Sequence, residues 1–325
     1  MYRLSLLDQS PVFPTDTPKQ ALERTVQMAK LAERAGFHRF WVSEHHQARD
    51  VAGTAPEILV THLLAHTSTI RIGSGGVMLS HYSPYKVAEV FRLLATLYPG
   101  RVDLGVGTAP GGLPLATKAL RYEQHDGTPV AFEKRLEDLQ KYVLDTHEIV
   151  AEPIPTIPPE LILLGGSVES AKQAARLHIP YTFAQFINND EAQLEEAVRS
   201  YKAIYPEGSF AVAVAVIAAE TLTQAKELAT NTDLYRIYFE DGSKFTLQSE
   251  SAAEKFGQDA QKPYRIERVA STALLGTPTS IFNQFDAWHA LGVDEFIVHN
   301  PIQQERARFE SIERIAEQYN VQYAR

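Results

Sequence analysis

The chain has 325 residues, with 31 Lys and Arg against 40 Asp and Glu, a formal net charge of −9, and no cysteine. That composition excludes disulfides, thiolate metal sites, iron–sulfur clusters and a cysteine nucleophile. The scattered basic residues also lack the clustered positive face that a nucleic acid requires. Hydrophobic and charged fractions of 44% and 22% are those of an ordinary globular protein, and no apolar run approaches the roughly 20 residues that span a bilayer. The start, Met1-Tyr-Arg-Leu-Ser-Leu-Leu-Asp, runs straight into a strand pattern with no signal-peptide core. A soluble, cytoplasmic protein without a membrane partner is expected.

Short apolar, β-branched runs alternate with longer stretches of helical periodicity, the pattern of βαβ units around a parallel sheet. The runs predict strands at Arg3–Leu7, Arg39–Val42, Ile70–Val77, Val102–Val106, Leu161–Leu164, Tyr181–Phe183, Phe210–Ile217 and Glu295–Val298. Eight parallel strands favour closure into a (β/α)8 TIM barrel, an α/β fold, over an open doubly wound sheet. Between the first two strands, Thr17-Pro18-Lys19-Gln20 reads as a capping-box helix start with proline at its first position, and Gly36 as the stop. Ser83-Pro84 and Thr277-Pro278 open two further helices, ended by Pro99-Gly100 and by Gly292.

Two connections exceed simple crossovers. The stretch from Gly107 to Glu160 holds one evident helix, Phe132–His147, after a Gly/Pro-rich loop. The stretch from Thr221 to Ala273 has a helical start and then a polar segment around Asp241–Lys262. Insertions after strands 4 and 7 of a barrel lie at its C-terminal face, where such enzymes build their sites. The expected organisation is one barrel domain over residues 1–325, with residues 219–273 as a mobile lid.

Three constellations fall at strand C-termini. Trp41-Val42-Ser43-Glu44-His45-His46 ends strand 2. Neighbouring side chains on extended backbone point to opposite sides, so at most one histidine faces the mouth, which weakens a metal site built on the pair. Such a histidine either exchanges protons near neutral pH or serves as a structural hydrogen-bonder. Ile72-Gly73-Ser74-Gly75-Gly76-Val77-Met78 ends strand 3, and glycines inside a strand mark a bulge or the close approach of backbone or ligand. Leu163-Leu164-Gly165-Gly166-Ser167-Val168-Glu169-Ser170 runs from a strand into a helix N-terminus, where free N–H groups and hydroxyls suit a phosphate. Ser167 there also has the plain role of an N-cap.

These stretches resemble the bacterial luciferase-like, flavin-dependent monooxygenase family, together with Asp8-Gln9-Ser10-Pro11, Ser83-Pro84-Tyr85-Lys86-Val87-Ala88-Glu89, Pro99-Gly100-Arg101-Val102-Asp103-Leu104-Gly105-Val106-Gly107 and Gly276-Thr277-Pro278. They occur in family order across nearly the whole chain. The resemblance implies a barrel, often a homodimer, that takes reduced FMN from a separate flavin reductase and uses O2 to oxidise a small organic substrate. It implies His45 as the catalytic histidine, Gly75 and Gly76 as a non-prolyl cis peptide behind the flavin ring, and Glu169 and Ser170 as phosphate contacts beside Gly166 and Ser167. Gly107 and Thr108 fall at the cofactor rim. Many relatives carry arginine where Thr108 stands, and the nearby Arg121 or Lys118 is the expected replacement for that charge. Gly107 occupies the position of the reactive cysteine of bacterial luciferase, so light emission is not implied. A deazaflavin in place of FMN stays open, as do a flavin-sequestering or structural barrel with weakened FMN binding and a metal-dependent hydrolase built on Glu44, His45 and His46. Met78, Tyr82, Phe186 and the 241–262 segment are the places to look for substrate contacts.

Overall fold

A computed structural model describes residues 1–48, 50–121, 130–230, 232–247 and 249–323. Position 49, residues 122–129 of the loop expected before Phe132, positions 231 and 248 of the expected lid, and the last two residues of the expected domain lie outside the described residues.

The strands are β1 (Arg3–Asp8), β2 (Arg39–Val42), β3 (Arg71–Met78), β4 (Val102–Gly107), β5 (Glu160–Gly165), β6 (Tyr181–Ala184), β7 (Phe210–Ala218), β8 (Leu234–Phe239), β9 (Lys244–Leu247), β10 (Tyr264–Val269), β11 (Leu274–Gly276) and β12 (Glu295–His299). The helices are α1 (Pro18–Arg34), α2 (Pro56–His66), α3 (Pro84–Leu97), α4 (Pro114–Leu120), α5 (Phe132–Val143), α6 (Val168–Arg176), α7 (Glu191–Ile204), α8 (Leu222–Leu228), α9 (Glu250–Ala260), α10 (Pro278–Ala290) and α11 (Glu305–Tyr323). Strands β1 to β7 and β12 pair in parallel, and the β6–β7 pairing closes them into an eight-stranded barrel. Each of the eight lies within about a residue of its expected run. Thr17 caps α1 through Gln20 as the capping box requires, while Thr277 and Ser167 cap α10 and α6.

Outward-facing strand residues pack beneath the helices in one large apolar cluster that includes Phe40, Phe91, Phe183, Phe210 and Phe296. The barrel interior has two distinct layers. The upper is apolar, with Leu7, Trp41, Ile162, Ala213 and Ile297 in contact. The lower is ionic. Arg39 meets Asp103 (3.1 Å), Glu160 (2.9 Å) and Glu295 (2.9 Å), Arg71 pairs with Asp103, and the Trp41 indole N–H donates to Asp103 at 2.9 Å. Buried charges persist only when paired in this way, and the network closes the barrel floor below the apolar layer.

Glycine sets the spacing of β3 and β4. A Cβ on Gly105 would lie 2.2 Å from the Ser74 carbonyl oxygen, and one on Gly75 would lie 2.9 Å from the Trp41 ring. Any side chain there would push the strands apart or displace the tryptophan. The pairing register shifts between Gly75 and Val77, and the Gly75–Gly76 peptide is cis, as the resemblance implies.

The stretch after β7 differs from the expectation. The polar 241–262 segment is not an irregular loop; with its neighbours it forms a three-stranded antiparallel sheet, β10-β8-β9, carrying α9. This unit has its own small core of Ile237, Phe239 and Phe256, completed by Leu113 from the loop after β4. The sheet escaped the sequence pattern because it buries only one face of short strands, and the exposed residues of β10 mask the alternation. Helix α4 was also unforeseen, and α5 ends at Val143, four residues before the expected limit.

Candidate active site at the barrel mouth

The mouth is organised by one carboxylate. Glu44, two residues before His46 at the end of the motif, is fully buried. It accepts hydrogen bonds from the Tyr82 hydroxyl (2.6 Å) and the Met78 backbone N–H (2.9 Å), and its Oε1 lies 2.6 Å from His46 Nε2. The His46 N–H in turn donates to the Gly111 carbonyl at 2.7 Å. One side chain thereby joins the ends of β2 and β3, the start of α3 and the loop after β4. Burial and the hydrogen bond to Glu44 push the Tyr82 hydroxyl far above its ordinary range, so it stays protonated and remains a donor. His81 holds the same loop from another side, its Nε2 lying 2.8 Å from the Pro110 carbonyl.

His45 turns the other way, as adjacent residues on extended chain must. Its Nδ1 lies 3.0 Å from the Ser43 hydroxyl, and its backbone N–H donates to the Gly53 carbonyl at 2.8 Å. Burial lowers its pKa below the ordinary histidine value, with the Asp50 carboxylate opposing the shift. The imidazole is therefore uncharged at neutral pH and can accept a proton. The two histidines thus differ: the His46 ring is held by Glu44, and the His45 ring contacts the Ser43 hydroxyl.

The remaining expected residues lie along the arc from β3 to β5. Gly75 and Gly76 sit at the top of β3, and Gly107 ends β4 beside them, pairing with Met78. Thr108 follows, exposed. Gly166 and Ser167 lead into α6, where the Ser167 hydroxyl caps the Ser170 N–H at 3.2 Å. That cap leaves the N–H groups of Val168 and Glu169, the first two of the helix, without intrahelical acceptors. The Ser170 hydroxyl is turned inward to the Tyr181 hydroxyl (2.8 Å), and the exposed Glu169 carboxylate pairs with Arg176 at 3.3 Å. At this end the backbone, more than the side chains, faces outward. Lys118 lies on α4 and Arg121 caps its C-terminus. Arg121 is near enough to His81 for its charge to lower that imidazole's pKa, though burial is the larger cause.

Sequence reasoning missed the opposite arc. His299 ends β12, is 6% exposed, and leans on Phe186 with ring centroids 5.6 Å apart. Burial, then the Arg308 charge, lowers its pKa to about 4. Arg308 pairs with Asp8 at 3.0 Å and donates to the Asn300 carbonyl at 3.1 Å, fastening the end of β1 to the loop after β12. Asp8 also accepts from the Ser10 N–H (2.5 Å) and the Thr25 hydroxyl (3.1 Å). These bonds hold Ser10 at φ 53°, a left-handed conformation that a residue with a side chain adopts only when its surroundings compel it.

Compared with known proteins, residues 2–295 match the model of the luciferase-like monooxygenases. The chain belongs to that family. It is an oxidoreductase by that membership. It is 42% identical over 314 residues to the N-acetyl-S-alkylcysteine monooxygenase of Bacillus subtilis, covering 93% of each chain. It is 31% identical to a luciferase-like monooxygenase of Escherichia coli K12, covering 95% of this chain and 94% of that one. Among solved structures, apo-MsnO8 superposes with a TM-score of 0.80 at 34% identity, covering 98% of this chain and 99% of the other.

The Glu44 junction yields a prediction. Glu44→Ala leaves three mouth donors without an acceptor and should lower unfolding free energy by ~2–4 kcal/mol, whereas Glu44→Gln keeps the shape and should cost less than half as much. Urea denaturation of the two variants decides this, and a loss below about 1 kcal/mol for Glu44→Ala contradicts the role assigned to the carboxylate.

Proposed function

We propose that the chain is an FMN-dependent monooxygenase that oxidises a small organic molecule with O2, taking reduced FMN from a separate flavin reductase. The observation that carries this reading is the arrangement along one arc of the rim: a floor free of side chains at Gly75, Gly76 and Gly107, an α6 N-terminus with unspent N–H groups, and an uncharged His45. A flat ring needs the first, a phosphate the second, and oxygen chemistry a proton carrier. The fit is tested by the glycines themselves. A Cβ on Gly107 would meet only the Leu164 carbonyl oxygen, at 3.7 Å, so the rim above that position is open.

In this assignment Gly166, Ser167, Glu169 and Ser170 hold the phosphate, chiefly through backbone N–H groups and the helix dipole, with Thr108 contributing a hydroxyl. Bound reduced FMN would supply two electrons to O2, one oxygen atom passing to substrate and the other leaving as water. His45 holds or releases the proton at its imidazole while Glu44 and His46 keep the surrounding backbone still. The unit within residues 219–273 covers the mouth as a lid, tied to the loop after β4 through Leu113. In the cell the chain works in the cytoplasm as a homodimer, and the exposed Ile58, Leu93 and Leu97 on the adjoining helices α2 and α3 supply an apolar face for that contact.

Thr108 motivates the second reading, a barrel that sequesters flavin or has lost tight binding, because a missing charge-assisted contact weakens affinity by about 1.5–3 kcal/mol. Anaerobic titration with reduced FMN, followed by admission of O2 with N-acetyl-S-methylcysteine as trial thioether, separates the two. The monooxygenase reading expects a Kd well below about 1 mM and substrate-dependent O2 uptake. No binding below that concentration overturns it, binding with no uptake for any thioether favours the second reading, and tighter binding of a reduced deazaflavin reassigns the cofactor.

The pH profile follows from the shift at His45. Since burial depresses its pKa, the base form persists down through the ordinary histidine value of about 6.5. kcat/KM should be level from neutral pH to that value and fall only on further acidification. A decline already beginning near pH 7.5 contradicts His45 as the proton carrier.

A further inference from the structure

A cleft of about 410 Å3 opens between the loops after β1 and β12, a volume in the range of small-molecule sites. It stands across the mouth from the phosphate end, because β12, β1 and β2 form one arc of the barrel and β4 and β5 the other. Val12, Phe13, Val51 and Ile302 give it apolar walls; Asp16, Asp50, Asn300 and Gln303 lie on its lining too, and Gln9 and His299 are the polar members with free hydrogen-bonding capacity.

Those two side chains differ from the polar groups around them. Asn300 donates to Ser311 and accepts from the Ile302 N–H; Arg308 is paired with Asp8; Asp16 is paired with Arg24. Gln9 and His299 are both more than nine-tenths buried, at 8% and 6% exposure. Yet the Gln9 carboxamide makes no side-chain hydrogen bond among the described residues, and His299 Nδ1 has no partner. Buried polar groups are normally satisfied. His299 Nδ1 is sealed from solvent and left open, and the Gln9 carboxamide beside the turn fixed by Asp8 and Ser10 meets no protein partner among the described residues, so both are available to a ligand in the cleft.

We propose that this cleft is the substrate pocket and that Gln9 and His299 together hydrogen-bond a neutral amide or carbonyl of the substrate, its apolar remainder lying along Val12, Phe13 and Ile302. The proposal rests on the reading of the mouth as a flavin site. The Gln9 carboxamide offers a donor and an acceptor, and the uncharged His299 imidazole, held by the Leu7 backbone, offers its open Nδ1; together these complement an amide and are a poor match for a naked anion. Desolvation by the walls strengthens both contacts. The reacting atom would lie on the side of the pocket lined by Val51, towards the β2 loop that carries His45.

The test uses the full chain without flavin and the methyl ester of N-acetyl-S-methylcysteine, a neutral amide, as probe, with binding followed by NMR. Gln9→Leu and His299→Leu should each weaken probe binding at least tenfold, and His299→Asn, which restores a polar amide in the same place, should recover part of it. FMN affinity, measured separately by fluorescence, should stay within about twofold in all three variants. Unchanged probe binding in both leucine variants overturns the proposal, as does a parallel loss of FMN affinity or no binding of the probe by the unaltered chain up to about 50 mM. If the unaltered chain binds the probe in this manner but not reduced FMN, the cleft stands and the flavin reading falls.

Discussion

The architecture of the mouth depends on burying one carboxylate, Glu44, among three donors from separate places: His46 after β2, Met78 at the end of β3 and Tyr82 before α3. A charge without solvent is tolerated only where hydrogen bonds replace water, so the Tyr82 hydroxyl, the Met78 N–H and His46 must all be in place for Glu44 to be there at all. The consequence runs outward. Because His46 is spent on Glu44, its neighbour His45 points to the opposite side. Because Met78 is pinned, the glycine run before it is fixed against β4. Because the His46 N–H takes the Gly111 carbonyl, the loop bearing Thr108 is fixed too.

A second tie does for the other arc what Glu44 does for the first. The Asp8–Arg308 pair joins residues 300 positions apart and holds the β1 turn against the β12 loop. Both ties rest on a barrel interior that is itself divided, with an apolar layer under the mouth and an ionic floor beneath it. The apolar layer lies between the mouth and the floor, and the floor holds Arg39 beneath the Trp41 ring, against which Gly75 of β3 packs. The mouth therefore rests on groups buried beneath it.

Much of this was legible in the sequence. Strand–helix alternation, proline at helix starts and glycine at helix ends locate the eight barrel strands, since those signals are local and repeat with fixed periods. His45, Gly75, Gly76, Gly166 and Ser167 are conspicuous because their residue types are unusual for strand ends. Glu44 and Tyr82 were visible as residues but not as partners, because the bond between them spans 38 positions and no period relates them. Gln9 and His299 carry even less signal: one polar residue in a turn, one at the end of a strand, brought together only when the barrel closes. The β8–β10 sheet hid for a different reason, since strands that bury one face against a four-residue core look like polar loop.

The central claim is that one arc of the rim holds the flavin while the opposite arc holds the substrate. A crystal structure of the chain with FMN and the methyl ester of N-acetyl-S-methylcysteine tests it most directly. The account predicts the ring over Gly75 and Gly76, the phosphate at the Val168 and Glu169 N–H groups, and the thioether between the β1 and β12 loops beside Gln9 and His299. A phosphate bound elsewhere on the rim, or both molecules crowded onto the β3–β5 arc, would contradict it.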